Sequence, residues 1–412
     1  MKKYNTETLP SGLRVIHLPS ASSVVYCGFQ IAAGTRDELP GEEGLAHFCE
    51  HMSFKGTQRR NALQIINSIE RLGGELNAFT NKESTVYYAA VHKDHLRAAV
   101  DVLADMVFHS QYPQTEIDRE VEVICDEIES YNDSPAELIY DEFENLLFGD
   151  HPLGHNILGK AEQLRTYTTT DALRFTSRHY LPMKSVFFVY GNVDFQHLVR
   201  MLVKAVPMSA PTQKTSVLSE CKALLDKPLK GAVVTRHLQT HQAHIMIGTR
   251  AYAADNPRRL PLYLLNNLLG GPSMNARLNL SLRERNGLVY TVESSMVSYG
   301  DTGVWSVYFG CDPHDVTRCR RLVRRELDKL MNHPLTTTAF SAAKRQLKGQ
   351  IAIACDNREQ LALDFGKAFL FKGEEHHLER LFGRIDAITA ADVQQVALEL
   401  FAADRLTTLI FC

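Results

Sequence analysis

Along this 412-residue chain, the spacing of apolar residues is typical of a β-strand in some segments and of an α-helix in others. This spacing predicts where the strands and helices lie. Asn61 is expected to cap a helix that carries Leu63, Ile66, Ile69 and Leu72 at helical spacing and ends at the glycines that follow. The remaining elements predicted in the first half are strands at 13–16, 24–26, 75–80 and 85–91 and helices at 93–109, 114–131 and 135–148. Strands grouped apart from helices are typical of an α+β fold.

The second half of the chain repeats the pattern of the first. Asp171 and Asp392, 221 residues apart, each open a predicted helix that leads into an apolar strand. Upstream, the strands at 86–88 and 307–309 each lead into a helix at nearly the same offset. Agreement at two separate places predicts a duplication. We expect one module at 1–205, a linker rich in Pro, Ser and Thr at 206–230, and a second module at 231–412.

Composition narrows the class of protein without naming a function. The chain is 44% hydrophobic and 23% charged with a net charge of −3, which is typical of a soluble globular protein. That near balance gives no electrostatic reason to expect nucleic acid or a membrane as a partner. We see no secretory leader and no apolar run of transmembrane length. The eight cysteines are scattered without a C-x-x-C pair, so we expect a cytoplasmic protein.

One short motif carries recognisable chemistry. His47, Glu50 and His51 form H-x-x-E-H within an apolar stretch that suits a helix. Two histidines one turn apart project from the same side of a helix and can bind one tetrahedral zinc ion. Glu50 lies on the same side and can take a proton from a metal-bound water. The competing interpretation is a helix with two surface histidines and a solvated glutamate.

A catalytic zinc ion needs a third protein ligand. The predicted helix at 114–131 offers Glu120 and Glu127, which are seven residues apart and therefore share a face. One of them could bind the metal while the other supports a ligand. Spacing alone does not choose between them.

These residues resemble the pitrilysin family of zinc peptidases, which are inverzincins. The resemblance is to the mitochondrial-processing-peptidase-like branch of that family, and it implies that this protein is bacterial. The resemblance covers essentially the whole chain. It implies that Glu127, 76 residues after His51, is the third zinc ligand and that Glu120 supports the site. It also implies two homologous α+β modules, each with a mixed, largely antiparallel sheet and helices packed on one face, and one Zn²⁺ per chain.

The resemblance extends to residues that would contact substrate. The stretch at 73–78 is similar to the family's Gly-Gly-x-x-Asn-Ala, which implies that Asn77 and Ala78 belong to a strand edge that pairs with a peptide backbone. Arg283 and Tyr290 match the family's R-x6-Y element, which implies contacts near the scissile bond. Their side chains are suitable donors to a developing oxyanion.

The second module is expected to be inactive. Adding 221 to the three ligand positions gives Leu268, Pro272 and Lys348, none of which is a plausible zinc ligand. The segment at 269–273 is short, unlike the long Gly-rich loop of the processing peptidase's α-subunit, and argues against an α-type subunit.

Together these features predict a zinc metalloendopeptidase that hydrolyses unfolded peptides inside a closed chamber. With only two modules, the chain is expected to form a homodimer, or a heterodimer with a related chain. Two alternatives stay open: a non-catalytic or partner-dependent subunit of a peptidase complex, and a zinc hydrolase that acts on a non-peptide bond.

Overall fold

The computed structural model describes residues 4–208, 224–225, 230–238, 240–373, 375 and 377–412. The strands are β1 (Asn5–Thr8), β2 (Arg14–Pro19), β3 (Val24–Ile31), β4 (Glu75–Thr80), β5 (Thr85–His92), β6 (Ser185–Gly191), β7 (Val233–Arg236), β8 (Ala243–Ala251), β9 (Val289–Ser298), β10 (Gly303–Cys311) and β11 (Thr407–Phe411).

The α-helices are α1 (Leu45–Met52), α2 (Ala62–Glu70), α3 (Leu96–His109), α4 (Gln114–Asn132), α5 (Pro135–Phe148), α6 (Ala161–Leu164), α7 (Thr169–His179), α8 (Phe195–Ala205), α9 (Arg259–Gly270), α10 (Val316–Asn332), α11 (Thr337–Ala354), α12 (Arg358–Lys372), α13 (Leu378–Ala387) and α14 (Ala390–Leu400). A π-helical turn at Asn279–Glu284 follows α9. In the part of the chain that the structure describes, no helix combines the length and apolarity needed to cross a membrane.

The chain forms two compact units. Unit 1 consists of the described parts of Met1–Glu129, His155–Thr215 and Ile353–His377, and unit 2 of Ser130–Gly154, Ser216–Ala352 and Leu378–Cys412. Each unit therefore takes segments from both sides of the predicted linker. Most of 206–230 lies outside the described residues, and the boundary placed there stays a prediction.

Unit 1 is built on a six-stranded sheet in the order β1-β2-β6-β3-β5-β4. The β2–β6 pair is parallel and the other pairs are antiparallel. One face packs against helices that include α1 and α3, where Phe29, Phe48 and Leu103 are fully buried. The opposite face is covered by α12, whose Leu361 and Phe365 pack on that side of the sheet.

Unit 2 repeats this topology with five strands in the order β7-β11-β8-β10-β9, again with one parallel pair, β7–β11. Trp305 is fully buried and contacts Phe401 just beyond α14, with ring centroids 4.3 Å apart. The other side of the sheet packs against α5 through Ile139 and Phe143. The predicted α+β fold with two homologous modules and mixed sheets is confirmed, but helices cover both faces of each sheet and not one, because α12 and α5 pack on the second face.

The repeat is visible in local detail. Thr168 and Asp171 form a capping box at the start of α7, and Thr389 and Asp392 form the same box at the start of α14. Each capping box stabilises the first turn of its helix. The two helices precede β6 and β11, which form the parallel pair of their sheets with β2 and β7. Of the four apolar positions that the helical spacing singled out at α2, Ile69 is buried, whereas Leu63, Ile66 and Leu72 are exposed; Ile65 is the other buried residue.

Candidate metal centre

The site is built on α1, which begins directly after Gly44. Gly44 has φ of +88°, a conformation that favours glycine. At about 100° per residue, the apolar side chains of α1 point one way and the polar ones the other. Leu45, Phe48, Cys49 and Met52 are fully buried in the core. His47, Glu50 and His51 therefore share the opposite side of the helix, as the spacing predicts.

The structure brings His47, His51 and Glu127 together although Glu127 lies far away in sequence, on α4. One donor atom from each of the three residues lies within 4.8 Å of the others. His51 Nε2 and Glu127 Oε2 are 3.5 Å apart, close to the separation of about 3.3 Å between two ligands of a tetrahedral zinc ion. His47 Nδ1 is buried without a hydrogen-bond partner among the described residues. The two imidazoles and the carboxylate together offer a set of donors that fits a zinc ion.

The second ring nitrogen of His51 is held by Glu120. His51 Nδ1 lies 3.1 Å from Glu120 Oε1, so its N–H donates there, and a metal would bind Nε2 in place of the proton that this nitrogen carries in charged His51. Lys55 Nζ lies 2.6 Å from Glu120 Oε2. Burial alone would raise the pKa of Glu120, but the hydrogen bonds from His51 and Lys55 hold it below its ordinary value.

Glu50 is buried on the same side of α1, where Thr80 Oγ1 donates to its Oε2 at 2.9 Å. Burial raises the pKa of Glu50 against this hydrogen bond and the charge of His51. A carboxylate whose pKa is moved toward neutrality suits a general base. Burial and the neighbouring His51 lower the pKa of His47 to about 3, so that its ring stays neutral, as a metal ligand requires.

Asn77 and Ala78 lie on β4, the last strand of the unit 1 sheet. The N–H of Ala78 donates to Asn77 Oδ1 at 2.9 Å. In the part of the chain that the structure describes, β4 has a neighbouring strand on one side only, so another extended chain could pair with its other edge.

Arg283 and Tyr290 lie in unit 2 and contact each other. Arg283 Cζ stands 5.6 Å from the centre of the Tyr290 ring, which is a cation–π geometry. Tyr290 is 82% exposed. The pair thus offers a guanidinium and a phenol at the surface of its unit.

Sequence reasoning did not single out Lys55 or Thr80. Lys55 follows His51 by four residues, the spacing at which side chains of a helix meet, which is a weak local signal. Thr80 had no local signal, because its contact with Glu50 depends on how β4 packs beside α1.

The chain matches two models of known protein families. The model described as "Insulinase (Peptidase family M16)" matches residues 14–161, and "Peptidase M16 inactive domain" matches residues 166–347. An uncharacterized zinc protease of Streptomyces coelicolor is 35% identical over 95% of this chain and 85% of its own length. The chain belongs to peptidase family M16, the pitrilysin family. A second M16 relative, an uncharacterized zinc protease of Bacillus subtilis, is 32% identical over 100% of this chain and 98% of its own length.

Solved structures share the M16 fold. A protease from Helicobacter pylori superposes with a TM-score of 0.91 at 21% identity, covering 100% of this chain and 99% of that one. A crystal structure of a peptidase M16 inactive domain from Pseudomonas fluorescens superposes with a TM-score of 0.88 at 18% identity, covering 99% of this chain and 97% of that one.

Within the described residues, the His47–His51–Glu127 cluster has no counterpart in unit 2.

Proposed function

We propose that this M16 chain is a zinc-dependent metalloendopeptidase that hydrolyses unfolded peptides or short polypeptides. The observation that carries the proposal is the cluster of His47, His51 and Glu127 with Glu50 on the same side of α1. Two histidines and a glutamate are a known ligand set of zinc hydrolases. The three residues would hold one Zn²⁺, which supplies Lewis acidity and lowers the pKa of water when bound.

In this mechanism Glu50 accepts a proton from the attacking water and passes it to the leaving amine. Thr80 holds the Glu50 carboxylate in place by its hydrogen bond. Glu120 keeps the His51 ring oriented through Nδ1 and is itself fixed by Lys55.

The open edge at β4 supports a peptide substrate in extended form. Main-chain pairing along Asn77 and Ala78 would bind peptides with little dependence on sequence. Only an unfolded segment can lie extended along a strand edge, which fits a site enclosed in a chamber.

We propose that such a chamber forms in a dimer and that Arg283 and Tyr290 of one copy stabilise the oxyanion at the metal centre of the other.

We also propose that the protein acts in the cytoplasm. The support is chemical: the seven cysteines that the structure describes are free thiols, as a reducing compartment maintains them.

The experiment that tests the peptidase proposal compares E50Q with the wild type on internally quenched peptides. Glutamine cannot accept the proton, so kcat should fall by roughly 10²–10⁴-fold, while zinc content stays near one per chain. A chelator should abolish hydrolysis by the wild type, and added zinc should restore it. The exposed Glu70 offers a matched control, because E70Q makes the same chemical change on α2.

Three outcomes separate the alternatives. Full activity in E50Q would reject the assigned base. Zinc binding without peptide hydrolysis would favour a partner-dependent subunit, and adding a related chain would then restore activity. Hydrolysis of esters but not of peptides would favour a hydrolase of another class.

A further inference from the structure

The buried carboxylate of Glu38 contacts the N-terminus of α1, the helix that carries His47 and His51. The Glu38 side chain has no solvent exposure. Its Oε2 accepts the N–H of Gly44 at 3.0 Å, and its Oε1 accepts the N–H of Ala46 at 2.7 Å. Gly44 directly precedes α1, and Ala46 is the second residue of its first turn, next to His47. A negative charge is favourable at this end of a helix, where unpaired N–H groups gather.

A third contact ties this carboxylate to a distant segment. His155 Nε2 lies 2.8 Å from Glu38 Oε2. The carbonyl oxygen of His155 accepts a hydrogen bond from Lys82 Nζ. Lys82 lies two residues beyond Thr80, the partner of Glu50. The contacts therefore run from the start of α1 to the connection between β4 and β5, two residues beyond the Thr80 that contacts the proposed base.

The backbone around these contacts is closely packed. A Cβ atom on Gly44 would lie 2.7 Å from the Leu158 carbonyl oxygen and 2.8 Å from Gly159 Cα. Gly159 itself has φ of +72°. The segment at 155–159 thus lies directly against the N-terminus of α1, with no room for a side chain between them.

We propose that Glu38 is a positioning residue for the metal centre and that His155 keeps its carboxylate in place. His47 is the third residue of α1, so a change in the first turn moves its ring relative to His51 and Glu127. A buried carboxylate with three good hydrogen bonds fixes that turn, because each lost partner would leave a buried polar group unsatisfied. This inference rests on the proposed use of His47, His51 and Glu127 as metal ligands.

The test measures zinc affinity and thermal stability separately. Four variants are compared with the wild type: E38Q, H155Q, the double variant and E43Q. The zinc Kd is measured by competition with a chelator, and the Tm is measured without zinc. Glu43 is a matched control, because its carboxylate accepts an N–H from Gly41 in an exposed loop five residues away.

Glutamine at position 38 has one acceptor oxygen for two backbone donors. We expect E38Q to weaken zinc binding by about 10-fold or more, the range found when residues behind a ligand are changed. H155Q should weaken it by about 3-fold, and the double variant should match E38Q because His155 acts through Glu38. E43Q should bind zinc as the wild type does.

An unchanged zinc Kd in folded E38Q would overturn the proposal, even if its Tm fell, because a purely structural role would lower stability alone. Additive losses in the double variant would overturn the role of His155. If E38Q does not fold, H155Q decides, and wild-type zinc affinity there would also overturn the proposal. Zinc binding needs no turnover, so a chain that shows the expected Kd pattern but hydrolyses no peptide would contradict the proposed function and leave this inference standing.

Discussion

The Nδ1 atom of His51 lies 3.1 Å from Oε1 of Glu120, and this contact decides which ring nitrogen of His51 faces the proposed metal. Glu120 is in turn held by Lys55 at 2.6 Å. The orientation of the His51 ring therefore depends, through Glu120, on Lys55.

Replacing Lys55 with methionine removes the ion pair between Lys55 and Glu120. Among the described residues, Glu120 then keeps only its hydrogen bond with His51, and we expect K55M to weaken zinc binding by about 10-fold with a similar fall in kcat/KM. Chelator competition and peptide kinetics measure both effects. K93M makes the same change at an exposed position of unit 1 and should alter neither. Equal zinc affinities for K55M and the wild type would contradict the assigned role of Lys55.

Replacing Thr80 with valine removes the hydrogen bond to Glu50 without changing the shape of the side chain. A lost hydrogen bond of about 1–1.5 kcal/mol corresponds to a fall in kcat of about 10-fold. Thr85, directly opposite in the sheet, donates instead to the carbonyl of Ala33. T85V should therefore lower the Tm but leave kcat near the wild-type value. A similar kcat for the two variants would show that the Thr80 contact is only structural.

The stability of unit 1 should depend on pH through Asp37. Burial raises the pKa of its carboxyl to about 6, even though it accepts the N–H of Gly34. The folded chain therefore binds this proton more tightly than the unfolded chain, whose ordinary value is 3.8. Stability from this group is present below pH 4 and is lost as pH rises through 6, by about 3 kcal/mol in total.

D37N should remove that dependence. Its Tm should exceed that of the wild type by a margin that grows between pH 4 and pH 7.5, measured by thermal melts of the zinc-free protein. D118N changes an exposed aspartate of α4 and should show no such trend. A margin that shrinks with rising pH would have the wrong sign and would refute the assignment.

Cutting the chain at the predicted linker should fail to give two folded halves. A fragment of residues 1–208 lacks α12, so the face of the unit 1 sheet that carries Phe188 loses its cover of Leu361 and Phe365. We expect the fragment to bind a hydrophobic dye or to aggregate. Fusing residues 353–373 to it through a flexible linker should reduce both effects. A soluble, cooperatively melting 1–208 fragment would contradict this expectation.

The proposed dimer predicts complementation between two inactive variants. E50Q removes the base, and Y290F removes a proposed oxyanion donor. If each site uses Glu50 of one copy and Tyr290 of the other, mixed dimers contain one site with both defects and one intact site. Mixing the two proteins should then restore up to about one quarter of wild-type activity, since half the dimers are mixed. Activity no greater than the average of the two parents would refute site sharing.

Much of the site follows from local sequence, because α1 places residues three and four apart on one side. The spacing of His47, Glu50 and His51 predicted their common face, and the structure has them there. Choosing Glu127 over Glu120 required the family resemblance, since both occupy one face of α4. The structure separates them by contact, with Glu120 at Nδ1 of His51 and Glu127 near Nε2.

Contacts between segments distant in sequence could not be predicted this way. Glu38 and His155 are 117 residues apart, and neither belongs to a recognisable motif. The repeat offset predicted two similar modules but not that α5 and α12 would each pack on the sheet of the other half. Both helices are apolar on the buried side, and that pattern does not say which sheet they cover.

Each of α5 and α12 packs on the sheet of the other half of the chain, and this arrangement bears on how the protein could evolve. After a duplication, a copy without metal ligands would ordinarily be free to decay or be deleted. Here its loss would strip α12 from the unit that holds His47 and His51 and expose the underside of that sheet. Loss of the repeat without the metal cluster would therefore destabilise the unit that holds His47 and His51, whatever that repeat contributes to chemistry.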